Sequence, residues 1–161
     1  MTAFLGIDPG LDGALVVLVR DASGVSCVLQ HCTRDLCPDG YVPERMDTAV
    51  SEAILQWAPT LAVLERVHAR PGEGVSSSFR FGVGWGLWRG ILAGRISSVL
   101  EPTPQSWQKA VLRDIPGEGK ARAIARAAQV RDLDLSPGRR RKPHDGLADA
   151  ACLALYGATR D

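Results

Sequence analysis

The sequence predicts an α/β domain on a mixed five-stranded sheet, with three antiparallel strands followed by parallel ones and helices on the flanks. Two observations predict it. The first thirty residues hold three short apolar runs joined by tight turns, the pattern of a meander. After them, apolar runs alternate with segments of helical spacing, the pattern that extends a sheet with parallel strands. The chain has 161 residues, of which 45% are hydrophobic and 23% charged. That is enough for one domain with a buried core, and residues 1–161 are read as a single domain.

Each element has its own signal. Ala3 to Ile7 is an apolar run stopped by Asp8-Pro9-Gly10, since Pro and Gly after a strand mark a turn. Gly13 to Val19 is a second strand and Val25 to Gln30 a third. Cys32 to Pro43 reads as loop. From Glu44 to Trp57 the residues Met46, Ala49, Val50, Ala53, Ile54 and Trp57 fall on one helix face, and Pro59 ends the helix. Leu61 to Leu64 is apolar throughout, as a buried strand is, and stops at Glu65. Pro71 to Ser78, rich in Gly and Ser, reads as a mobile loop. Phe81 to Ala93 reads as a helix despite its glycines, and Ser97 to Leu100 as a strand. Pro104 to Leu112 and Lys120 to Val130 read as helices. Leu133 to Pro143 reads as a basic loop, and Asp145 to Tyr156 as an Ala- and Leu-rich helix.

No apolar run approaches the ~20 residues that cross a bilayer. The N-terminus lacks the basic stretch of a signal peptide, so a cytoplasmic, intracellular protein is expected. Net charge is +1, from 19 Lys plus Arg against 18 Asp plus Glu, and by itself selects no partner. The basic residues nevertheless cluster after Arg89, at Lys109, Lys120, Arg122 and the run Arg139-Arg140-Arg141-Lys142, a segment able to hold a polyanion. Cys27, Cys32 and Cys37 stand five apart with His31 among them. That leaves a metal site conceivable, but zinc ligands usually come in closer pairs. Reduced thiols are the simpler reading for them and for Cys152.

Four carboxylates stand out. Asp8 and Glu65 each end an apolar strand, while Asp145 and Asp149 lie one turn apart on the last helix and repel. A hard divalent cation relieves such repulsion, and a pair of them clamps both oxygens in phosphodiester cleavage. Each acid alone has a plainer reading: a turn for Asp8, an ion pair with Arg66 or Arg70 for Glu65, a helix-dipole charge for Asp145, a solvent-facing position for Asp149. The functional reading gains from the combination.

The ordered set Leu5-Gly6-Ile7-Asp8-Pro9-Gly10, Glu65 at a strand end and His144-Asp145-Gly146-Leu147-Ala148-Asp149-Ala150 resembles the RuvC Holliday-junction resolvases, which have an RNase H-like fold. The segment Glu65 to Gly90 and the run Thr103-Pro104-Gln105-Ser106-Trp107-Gln108-Lys109 are similar to the phage-type and chloroplast branch. The resemblance implies that Asp8, Glu65, Asp145 and Asp149 hold Mg²⁺ or Mn²⁺, two ions per active site. Many members place the third acid where this chain has Gly146, which leaves His144 as a competitor to Asp145. The resemblance puts a catalytic lysine at Lys120. Lys109 adjoins the place of another lysine, where Gln108 stands. The aromatic wedge of housekeeping members falls on His68, with Phe79 or Phe81 as substitutes. DNA contacts are then expected from His68, Arg70, Lys109, Lys120, Arg122, Arg139, Arg140, Arg141 and Lys142.

The expected activity is that of a structure-selective endonuclease resolving four-way DNA junctions in recombination and repair. Paired symmetric nicks imply a two-fold homodimer. Two alternatives share the fold: a junction-binding protein that does not cleave, and a nuclease acting on RNA. An actin-like sugar-kinase ATPase needs two such domains, and this length supplies one. Gly82-Val83-Gly84-Trp85-Gly86 lacks the preceding strand of a dinucleotide loop, so close helix packing or a flexible loop explains it better. Trp85 and Trp88 are assigned to the core, with a dimer surface as the alternative.

Overall fold

Alternation along the first strand sorts the molecule into two cores. On β1 (Thr2–Asp8), Ala3, Leu5 and Ile7 face one core and Phe4 the other. By the two-residue period, Gly6 and Asp8 share the face of Phe4. β2 (Ala14–Asp21) and β3 (Gly24–Cys32) continue from β1 as an antiparallel meander, while β4 (Leu61–Leu64) and β5 (Val99–Leu100) add in parallel on its other side. The order is β3-β2-β1-β4-β5, a mixed five-stranded sheet flanked by helices. The structure, a computed structural model, describes residues 1–68, 72 and 74–160. Arg70, Pro71 and Glu73 lie outside the described residues.

One face is covered by α2 (Pro43–Trp57) and α3 (Val75–Ala93), which enclose Leu5, Ile7, Leu15, Met46, Val50, Leu64 and Trp88. The other face is covered by α4 (Pro104–Val111), α5 (Lys120–Ala127) and α6 (Asp145–Ala158), around Phe4, Val16, Val63, Trp107 and Leu153. α6 is the central helix of that layer. Between Gly146 and Gly157 every residue but Asp149 is buried. Among the described residues, no helix is long and apolar enough to cross a membrane.

Three segments depart from the sequence expectation. The helix expected from Phe81 begins at Val75, so Val75 to Ser78 are helical rather than loop. Its first turns are mostly exposed and carry Ser76, Ser77 and Ser78, which give no apolar period to read. The stretch Cys32 to Pro43 contains α1 (Thr33–Leu36), closed by Cys37 N donating to Thr33 O at 2.8 Å. One turn is too short to show periodicity. Finally, α5 stops at Ala127, three residues early, because the chain leaves to cover the sheet edge. There Arg131 O accepts from Cys27 N at 2.8 Å, and Gln30 exchanges two hydrogen bonds with Asp134. This covering protects β3 from pairing with another chain.

The three early cysteines are divided by the sheet. Cys27 and Cys32 lie in the α6 core and Cys37 in the other, while His31 Nε2 sits 3.0 Å from Glu52. Trp88 is fully buried, and Trp85 is half-buried with the Arg89 guanidinium over its ring.

Candidate active site

Strand register brings the first two acids together. Ile7 pairs with Leu64 across the parallel β1–β4 ladder, so the next positions, Asp8 and Glu65, stand at adjoining strand ends. Glu65 N donates to Ile7 O at 3.2 Å and continues the ladder by one bond. Alternation turns both side chains toward the α6 face, since Val63 and Leu61 already point there.

α6 supplies the other two acids, and glycine sets how near it lies. A Cβ on Gly6 would stand 2.0 Å from Ala150 O, so no side chain fits between β1 and α6. A Cβ on Gly146 would meet Asp12 O at 2.3 Å, which seats the first turn of α6 on the β1–β2 turn. Asp145 and Asp149 share one face of this helix, one turn apart. His144, the competitor for the third position, is the N-cap: its Nδ1 accepts from Leu147 N at 3.2 Å. Burial, and then the Arg140 charge, lowers its pKa and keeps that nitrogen an acceptor.

The four acids share one electrostatic neighbourhood. Burial first, then the charges of Asp149 and Glu65, raises the Asp8 carboxyl well above the usual carboxylate range. Asp149 is pushed up to about 7 by burial, then by Glu65 and Asp145. Buried like charges are costly, and a hard cation with oxygen ligands is what relieves them. As the side chains stand, no three Asp, Glu, His or Cys groups among the described residues converge on a single point. Two of the acids have other partners. Asp145 Oδ2 lies 2.5 Å from Lys120 Nζ, and Glu65 Oε1 accepts from Trp107 Nε1 at 2.9 Å. Oxygen donors, burial and mutual repulsion at one end of the sheet fit a divalent cation.

Lys120 reaches this site because of the turn before it. Gly119 adopts φ 55° and ψ −141°, in the half of the map that favours glycine, and α5 begins at the next residue. The charge of Lys120 reaches both Asp8 and Asp149. Lys109 lies exposed on α4, next to exposed Gln108. Trp107 is the site residue that sequence reasoning missed. It is 1% exposed, on a helix started by Thr103 and Pro104, and nothing local tells its indole from an ordinary core tryptophan.

The expected DNA contacts divide into two groups. Arg122 turns its guanidinium onto the carbonyls of Leu112 and Ile115, pinning the α4–α5 connection. Arg140 is tied to Asp35 at 2.8 Å and to Pro137 O at 3.0 Å. By contrast Arg139, Arg141, Lys142 and His68 are exposed. Phe79 is 73% exposed, whereas Phe81 is half-buried.

No family model matches the sequence, and no curated protein matches it. Solved structures do. RuvC from T. thermophilus, in complex with a Holliday junction substrate, matches with a TM-score of 0.67 at 17% identity, covering 98% of this chain and 93% of that one. The yeast mitochondrial Holliday junction resolvase Ydc2 matches with a TM-score of 0.62 at 14% identity, covering 96% of this chain and 77% of that one. The Fowlpox virus resolvase, in complex with its substrate Holliday junction DNA, matches with a TM-score of 0.56 at 12% identity, over 98% and 99% of the two chains. With the antiparallel meander, the parallel extension and helices on both faces, the chain has the RNase H-like fold of the RuvC-type resolvases.

Proposed function

We propose that this chain is a structure-selective DNA endonuclease that resolves four-way junctions by paired, symmetric, metal-dependent nicks. The observation that carries this reading is the gathering of Asp8, Glu65, Asp145 and Asp149 at one end of the sheet. Two strand ends and one helix contribute, and Lys120 stands at their edge. The fold shared with junction-bound resolvases supports DNA as the substrate.

Asp8, Glu65 and Asp149, with Asp145 as the fourth donor, would hold Mg²⁺ or Mn²⁺. When bound, such a pair lowers the pKa of water and stabilises the leaving oxygen. The chain's own residues do the rest. Trp107 fixes the Glu65 carboxylate through its indole N–H. Lys120, paired with Asp145, offers a cation to the phosphate that arrives there. His144 caps α6 and so fixes where its two acids begin. Exposed Arg139, Arg141 and Lys142, just ahead of α6, and Lys109 on α4 offer contacts to flanking phosphates. A four-way junction has two-fold symmetry, so two copies of the chain would cut it as a homodimer.

The test is a single-turnover gel with labelled four-way junction, matched duplex and RNA–DNA hybrid, each with Mg²⁺, Mn²⁺ or EDTA. The expected result is paired nicks in the junction alone, abolished by EDTA. Asp8→Asn should abolish nicking while junction binding stays near wild type. Preferential cutting of the hybrid would transfer the site to RNA, and binding without nicking would leave a junction-binding protein.

A further inference from the structure

The turn after Asp8 and the basic loop before Asp145 are both held by one short helix, α1. Each of its four residues makes a contact outside it. Thr33 N donates to Gly13 O, in the β1–β2 turn, at 3.0 Å. Arg34 Nε donates to Asp12 Oδ1 of the same turn at 2.7 Å. Asp35 Oδ1 accepts from the Arg140 guanidinium at 2.8 Å, and the other end of that guanidinium reaches Pro137 O at 3.0 Å. Leu36 O accepts from Arg45 on α2 at 3.0 Å, which fixes the far end of α1. Successive helical residues point about 100° apart, so the neighbours Arg34 and Asp35 reach two different segments. Both segments lead to the acids. The β1–β2 turn closes behind Asp8 through Gly13 N and Gly10 O at 2.9 Å. It is also the seat of α6, since a Cβ on Gly146 would stand 2.6 Å from Gly13 Cα. The basic loop ends where His144 N donates to Leu135 O at 2.7 Å, and Asp145 is the next residue. Asp8 therefore meets Asp145 and Asp149 across a joint whose two sides are both tied to α1.

We propose that Arg34 and Arg140 are positioning residues of the metal site: through the pairs Arg34–Asp12 and Arg140–Asp35, α1 sets how α6 sits against the turn after Asp8, and so the spacing of the acids that receive the cation. The inference rests on the metal-dependent nuclease reading and adds to it residues that act through the backbone. Both pairs are partly open to water, where ion pairs add little stability. A metal site is more demanding, because Mg²⁺ requires near-ideal octahedral geometry from its oxygen donors. The sign of the effect separates position from charge. Each arginine is a positive charge near a site for a cation, so by charge alone its removal tightens metal binding. Loss of position weakens it.

The test is Mn²⁺ binding to the full chain without DNA, followed by loss of the free-ion EPR signal. The proteins are wild type, Arg34→Met, Arg140→Met, Arg34→Lys and the exchanged pair Asp35→Arg with Arg140→Asp. Each methionine variant keeps an apolar stem and should bind Mn²⁺ about 2- to 30-fold more weakly, the range of couplings carried between distant groups. Melting temperature should hardly change. Arg34→Lys retains a donor for Asp12 and should bind as wild type does, and the exchanged pair should recover most of the loss of Arg140→Met. Wild-type or tighter Mn²⁺ binding in the methionine variants would overturn the inference and leave the nuclease reading standing. Should those variants fail to fold, hydrogen exchange on wild type decides. Coupling is reciprocal, so Mg²⁺ should slow exchange of the Thr33 and Cys37 amides, and an unchanged rate would overturn the inference. A chain that shows these sensitivities but nicks no junction would keep the positioning role and lose the nuclease reading. A wild-type chain that binds no Mn²⁺ would overturn both.

Discussion

Trp107 spends its single N–H on Glu65 Oε1, and its ring is buried under α6. Loss of such a supporting partner typically costs about 10–100-fold in metal affinity or activity. Trp107→Phe keeps an aromatic ring and removes only the donor. It should slow single-turnover nicking by about 10–100-fold with little change in melting temperature; an unchanged rate would reduce the tryptophan to packing. His144 and Asp145 are neighbours with different work. Asp145→Asn should remove nearly all nicking in both Mg²⁺ and Mn²⁺. His144→Ala should lose about 1 kcal/mol as a missing cap while keeping measurable activity. His144→Asn, which can still cap, should recover the stability. A dead His144→Asn beside a working Asp145→Asn would exchange the two roles.

At the scale of elements, the distance between α6 and β1 decides whether the acids meet. In Gly6→Ala the new methyl collides with backbone atoms of Ala150 and Ala154, which cannot turn away as a side chain would. Overpacking of this kind costs about 1–3 kcal/mol, and the displaced helix carries Asp145 and Asp149 with it. Urea denaturation should show the loss, and nicking should fall further than stability does. A variant of wild-type stability and activity would show that the contact is dispensable. The basic loop before α6 holds its charges in two settings. Arg140 anchors it to Asp35 on α1, whereas Arg139, Arg141 and Lys142 stay exposed. Replacing these three with Ala should lower the slope of log K against log salt by up to about 2.7, since each phosphate contact contributes about 0.9. Arg140→Ala should instead leave most of the slope and loosen the loop. An unchanged slope in the triple variant would show that the run makes no phosphate contact.

At the scale of the whole molecule, one sheet with helices on both faces buries all four cysteines without a disulfide. Burial pushes the Cys27 and Cys32 thiols up to about 11 and Cys152 up to about 12. In the unfolded chain they ionise near the ordinary 9.0, while in the fold they keep their protons. The unfolded state therefore releases protons first, and stability falls as pH climbs from about 9 through about 11. Melting temperature should drop across that window, and Cys27→Ala should flatten the drop. At about pH 8 a thiol reagent should react only as the protein unfolds. Fast labelling of all four thiols in the native state would contradict the two-core packing.

The strands in their chain order, the mixed character of the sheet and the terminal helix are legible in the sequence because their signals are local. Leu61–Leu64 is read to the residue, since an apolar run between Thr60 and Glu65 has visible ends. The face of α2 follows from its spacing, and four of its six expected core positions are fully buried. The ordered motifs around Asp8, Glu65 and Asp149 also point to the fold that the solved structures share. The tertiary structure decided what depends on distant partners. Asp8 lies beside Glu65 because Ile7 pairs with Leu64, a register that neither strand announces. α6 approaches because Gly6 leaves room under Ala150, and Glu65 is steadied by an indole forty-two residues further along the chain. α3 begins at Val75 although its first turns show no apolar stripe. Periodicity reports how a segment meets a core, whereas the placement of one side chain against another is a contact between segments and leaves no period to read.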